Sequence, residues 1–116
     1  MQNKDEILFS AAENEFRESL RAFLDGVDAK KIEREIYERD FYPRELYGKL
    51  GDAGFLAPVL PVEYGGRRTL VYERILAEEL GAACVPLAWI HSTSSYTYAT
   101  SAAYGTEAQN SIYWPA

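Results

Sequence analysis

The sequence predicts an all-α fold, a bundle of five or six helices with an extended proline-rich connection. Three observations carry that prediction. Apolar residues recur at helical spacing through most of the chain, and no segment alternates apolar and polar residues as a half-buried strand would. Capping signals stand at the starts of the periodic segments, and Pro58 and Pro61, three apart, interrupt the helical pattern in the middle.

The first helix is expected from about Ser10 to Leu24. Ser10 and Glu13 have the form of a capping box, each side chain satisfying a backbone donor that the first turn leaves unpaired. Ala12, Phe16, Leu20, Phe23 and Leu24 form one face, with Glu15, Arg17, Glu18 and Arg21 opposite. Asp25-Gly26 stops it. Residues 29–39, AKKIEREIYER, are strongly charged with Ile32 and Ile36 four apart, and predict a short exposed helix whose charges form a solvated face. Tyr42-Pro43 restarts the chain, since proline suits a first helical turn. Leu46, Tyr47 and Leu50 make the inward stripe of that helix, and Gly51 and Gly54 mark its end.

Residues 55–61, FLAPVLP, form the extended connection, apolar enough to lie against the core. Glu63-Tyr64-Gly65-Gly66 is a turn in which at least one glycine takes a positive φ. The next helix starts near Thr69, with Leu70, Ile75, Leu76 and Leu80 inward and Glu73, Arg74 and Glu78 outward, and Gly81 closes it. Pro86 opens a long helix rich in Ser, Thr, Ala and Tyr, with Leu87, Ile90, Ser94 and Tyr98 on one side and Trp89, Tyr96 and Ala103 on others. Tyr104-Gly105 ends it. Thr106 and Gln109 form a second capping box for a last helix to about Tyr113, and Trp114-Pro115 breaks that helix.

Composition narrows the function classes. The 116 residues are the length of one domain, and 47% hydrophobic and 14% aromatic content supports a packed core. No run approaches the ~18 uncharged apolar residues of a membrane span, and the start has no secretory pattern, so a cytoplasmic protein is expected. One cysteine, Cys84, and one histidine, His91, exclude a disulfide framework and a conventional His/Cys metal site. A net charge of −6 argues against nucleic acid as a ligand.

That charge is unevenly distributed. Residues 1–52 hold nine Lys/Arg and thirteen Asp/Glu, whereas from Leu80 to Ala116 Glu107 is the only charged side chain. Either this segment is the central helix of the bundle, wrapped by the charged half, or it faces a domain, subunit or ligand outside the chain.

The residues themselves announce little catalysis. There is no nucleophile–base order of a hydrolase and no Walker-type loop, because Gly65-Gly66 lacks the following Lys-Ser/Thr. Glu78 and Glu79, adjacent on a helix, point about 100° apart and do not form a shared acid–base site. Cys84, beside alanine and valine, reads as packed and inert. Trp89, Tyr96 and Tyr98 are more commonly core than surface residues. His91 is open to two readings, a hydrogen-bonded core residue or part of a ligand-facing wall with Trp89, Ser92 and Ser95.

The succession FRESLRAFL, FYPRELYGKLGDAGFLAPVLPVEYGG, RILAEEL and WIHSTSSYTYATSAAYGTEAQ resembles the N-terminal helical domain of the flavin-dependent acyl-CoA dehydrogenases. The specific elements are the Pro-x-Glu-Tyr-Gly-Gly turn at Pro61 to Gly66, Glu78-Glu79-Leu80, the placement of His91, and Gly-Thr-Glu-x-Gln at Gly105 to Gln109. Their order and spacing cover about residues 10–114. The sequence departs from the family pattern after Gly66, where Arg67-Arg68-Thr69-Leu70 replaces a common Gly and Asp, and near its end, where Asn110 and Ser111 replace frequent lysines.

The resemblance implies a single helical domain over residues 1–116, to be completed by a middle β-domain and a C-terminal bundle that the chain lacks. FAD would sit between those two parts, and the glutamate that removes the substrate α-proton would belong to the C-terminal bundle. This domain would therefore carry no catalytic residue, hold no cofactor alone and be inactive alone. Residues 84–101 match the helix lining the far end of the acyl pocket, so Ala88, Trp89, His91, Ser92 and Ser95 become candidate substrate-binding positions. Their mixture of an indole with small hydroxyls suits a short, branched or aromatic acyl group. The implied partners are an acyl-CoA substrate and a flavin-bearing chain. The alternative is a non-catalytic helical module, or a truncated remnant of that fold, that self-associates through residues 80–116.

Overall fold

In the computed structural model, which describes residues 4–113, the helices follow the order α1 (Lys4–Leu8), α2 (Ala11–Asp25), α3 (Ala29–Arg39), α4 (Arg44–Asp52), α5 (Leu70–Ala83), α6 (Val85–Tyr104) and α7 (Glu107–Tyr113). No strand occurs among the described residues. The last six helices lie where the sequence places them, whereas α1 is an addition that its short pattern did not signal. The expected break at Trp114-Pro115 lies outside the described residues.

The caps form as the residue types dictate. The Ser10 backbone N–H donates to Glu13 Oε2 at 2.7 Å while the Glu13 N–H donates to Ser10 Oγ at 3.2 Å, closing the capping box. Asp28 accepts from the Lys31 N–H, and Thr69 accepts from the Val71 N–H. At α7 the Thr106 N–H donates to Gln109 Oε1 at 2.9 Å, and the Gln109 N–H donates to Thr106 Oγ1 at 3.2 Å.

The core gathers one stripe from each of four elements. Phe16, Leu20 and Leu24 of α2 meet Leu46 and Leu50 of α4, Ile75, Leu76 and Leu80 of α5, and Leu87 at the start of α6. Phe55, from the extended connection, packs edge-on against both Phe16 and Phe23 with ring centroids 5.6 Å apart in each pair. The apolar connection therefore lies against the core as expected, with Pro58 and Leu60 also buried.

The turn that follows is held by its backbone. Val62–Tyr64 form one turn of 3-10 helix, closed by Gly65 at φ 83°. Gly66 then passes so close to Leu60 that an added Cβ would lie 2.0 Å from the Leu60 carbonyl oxygen. Only glycine fits there.

Several local expectations are corrected by packing. Leu70, the first residue of α5 after the Thr69 cap, is 76% exposed. Glu73, expected outward, turns toward His91 of α6. Gly81 does not end α5. The helix runs on to Ala83, and extended Cys84, at φ −157°, separates α5 from α6. Along α6 the buried line is Leu87, His91, Ser95, spaced by four, and Ile90, Ser94 and Tyr98 are only half-buried. Ala12, expected on the inner face of α2, is exposed.

The charged segment 29–39 also does more than face water. Ile32 and Ile36 lean on the core, and Glu33 Oε1 accepts from the Val85 backbone N–H at 3.2 Å. Cys84 has no side-chain cap to offer, so a carboxylate of α3 serves a donor at the N-terminus of α6. The Lys30 ammonium, followed by this backbone bond, holds the Glu33 carboxyl below its ordinary range.

Candidate functional site

Two regions of α5 carry carboxylates, and they differ in what those carboxylates meet. On the α2 side, Arg17 is buried and donates to Glu79 Oε1 at 2.6 Å and to Glu78 Oε2 at 3.0 Å. Arg21 adds a 2.9 Å bond to Glu79 Oε2, and Arg74 a 3.0 Å bond to Glu78 Oε1. Adjacent glutamates thus converge on one guanidinium, Glu78 exposed and Glu79 buried, and both are paired. Burial opposes the charge on Arg17, but its bonds to Glu79 and Glu78 raise its pKa above the usual value. For Glu78 burial acts upward, yet Arg17 and Arg74 outweigh it and hold the carboxyl below its ordinary range. This is an interhelical clamp with its charges matched.

On the α6 side lies a groove of about 330 Å³. Val59, Leu70, Ala77 and Ala99 give it apolar walls, Tyr96 lies along it, and Glu73, Arg74, Ser92 and Ser95 contribute its polar groups. Behind it His91 is fully buried, with Nε2 2.7 Å from Glu73 Oε1. An ionised carboxylate only accepts, so against it Nε2 carries the hydrogen and donates. His91 Nδ1 and Glu73 Oε2 are buried without a partner.

Ser92 and Ser95 are the two predicted site residues that the groove brings together. His91 stands behind them as a hydrogen-bonded core residue. Ala88 packs inward against the core, beside Gly81. Trp89 is 76% exposed on the outer face of α6 and does not line the groove. Sequence reasoning missed Glu73 as a groove residue, and no local signal marked it: only packing shows Glu73 as the acidic residue of α5 without an arginine partner in the clamp.

The outer face of α6 and α7 corrects the picture of a wrapped central helix. Val85, Trp89, Tyr96, Tyr104 and Ile112 are all exposed large apolar or aromatic side chains, and Tyr104 reaches 87%. No charged side chain interrupts α6. Cys84 by contrast is buried, and burial pushes its thiol pKa up, in keeping with an inert packed residue.

Residues 10–116 match the family model described as acyl-CoA dehydrogenase, N-terminal domain. The chain belongs to the acyl-CoA dehydrogenase family. No curated protein and no solved structure matches it. The dehydrogenase family is FAD-dependent. Arg67 lies over the rings of Phe16 and Tyr72 at 5.0 and 4.8 Å. Among the described residues no His/Cys/Asp/Glu group could hold a metal, and no helix is long and apolar enough to cross a membrane.

Proposed function

We propose that this chain is a cytoplasmic N-terminal domain or subunit of a flavin-dependent acyl-CoA dehydrogenase, one that supplies a wall of the acyl pocket. The observation that carries the reading is the outer face of α6, aromatic, uncharged and exposed, beside a groove that ends in Ser92 and Ser95. A face of that kind is stabilised by being covered. In this reading the middle β-domain and C-terminal bundle cover it, bring the FAD and the catalytic base, and complete α,β-dehydrogenation of an acyl-CoA thioester. Ser92 and Ser95 meet the end of the acyl group directly. His91 positions the wall from behind, Ala88 supports it from the core side, and Trp89 meets the covering domain or the acyl group from outside.

The test is purification of the tagged chain from the cells that make it. Recovery with a polypeptide showing flavin absorbance is the expected result. In the assembled enzyme, Ser92→Trp is expected to change chain-length preference while the domain stays folded, and an unchanged preference would remove Ser92 from the wall.

The same exposed face favours a second reading, a non-catalytic module or remnant of the fold that pairs with a second copy through residues 80–116. Sedimentation of the isolated chain separates the two. A concentration-dependent dimer with no flavoprotein partner favours the module.

A further inference from the structure

The hydroxyls of α6 divide into two sets. Thr93, Ser94 and Thr97 donate to the carbonyls of Trp89, Ile90 and Thr93 one turn back, at 3.1, 3.0 and 3.2 Å. Their hydroxyl hydrogens are spent within the helix. Ser92 and Ser95 make no such bond among the described residues, and both line the groove. Opposite them on α5, Glu73 has one oxygen occupied by His91 and a second, buried, with no donor.

A plain hydrocarbon wall has no use for these groups. A carboxylate oxygen removed from water without a donor is costly, and so is a hydroxyl sealed beneath an apolar chain. The terminal torsion of a glutamate is soft, so Glu73 can turn its free oxygen toward a group in the groove. The charges nearby restrict what that group is. Glu73 disfavours an anion, and Arg74, on the same groove, disfavours a cation. A neutral donor satisfies both.

We propose that the α5–α6 groove takes an acyl group whose far end bears a hydroxyl, which donates to Glu73 and is flanked by the Ser92 and Ser95 hydroxyls. The apolar body of the acyl group lies along Val59, Leu70 and Ala77. This rests on the acyl-wall reading and specifies its substrate class.

The experiment compares two neutral probes, the pantetheine thioesters of hexanoate and of ω-hydroxyhexanoate, titrated into the full chain and followed by backbone amide shifts along α6. The hydroxylated probe is expected to bind about tenfold tighter, as one hydrogen bond to a charged group allows. The double variant Ser92→Ala/Ser95→Ala, which raises helix propensity and so keeps α6 folded, is expected to lose part of that advantage. Glu73→Gln, with its fold checked by circular dichroism, is expected to lose most of it. Equal binding of the two probes, with shifts at Ser92 and Ser95, overturns the hydroxyl assignment and leaves the acyl wall standing. An advantage that survives both variants also overturns it. Shifts that avoid α6 for both probes overturn the assignment and the wall together.

Discussion

The two sides of α5 make opposite use of polar side chains. Toward α2, Arg17, Arg21 and Arg74 meet the carboxylates of Glu78 and Glu79, and apolar residues pack beside the clamp. Toward α6, Glu73, Ser92 and Ser95 line a groove, and beyond them the surface of α6 is aromatic and uncharged. The first side pairs its carboxylates within this chain, with Arg17 Nε the one clamp atom left buried without a partner among the described residues. The second leaves large aromatic side chains exposed on an uncharged helix, and that contrast divides the two sides of α5.

The largest expected effect lies on the closed side. Arg17→Ala leaves Glu79 buried without its strongest partner, and breaking a buried pair this way costs roughly 3–5 kcal/mol. Urea unfolding measures it, and a loss under about 1 kcal/mol would mean that the clamp is far wetter than its burial implies.

Acid acts on the same seam and on the α3–α6 contact. Glu78 and Glu33 have folded-state pKa values below their unfolded ones, so the stability they contribute is present above the ordinary carboxylate range and is lost as pH falls through the lower folded values. Helicity followed by circular dichroism is expected to hold at neutral pH and to weaken below about pH 4. Arg17→Ala should blunt that dependence. A smaller change is expected at the entry to α2, where Ser10→Ala removes the box and costs about 1 kcal/mol in thermal unfolding.

The smallest effect on stability belongs to the open side, and it sharpens the contrast most. Trp89→Ala is expected to change unfolding of the isolated chain by less than about 0.5 kcal/mol. In a complex with a covering domain, measured by calorimetry, the same substitution is expected to weaken association at least tenfold, as loss of an aromatic anchor does. A large stability loss in the isolated chain would show that Trp89 is already packed.

Helix positions were legible in the sequence because capping boxes and apolar spacing are local chemistry. Ser10 with Glu13 and Thr106 with Gln109 behave as their residue types require. The orientation of each helix was less legible. Leu70 and Glu73 exchange their expected roles because the rotation of α5 is set by both neighbours at once, α2 through the clamp and α6 through His91. Gly81 reads locally as a stop, yet the core contacts of Leu80 and Cys84 carry α5 past it. In α6 almost every position is apolar or small, so periodicity has no contrast to work with, and the line of Leu87, His91 and Ser95 emerges only from packing. Of the candidate wall, Ser92 and Ser95 were visible as small hydroxyls in an uncharged helix. Glu73 was hidden among the carboxylates of α5, because its distinction is what it lacks.

The bond from Glu33 to Val85 has a consequence for how the domain meets whatever covers it. The longest helix is tied at its N-terminus to the segment richest in charge, through one carboxylate fifty-two positions upstream. A change in that hydrophilic stretch therefore reaches the start of the aromatic surface without touching any residue on it, so a greasy face is anchored from the side of the chain that stays wet.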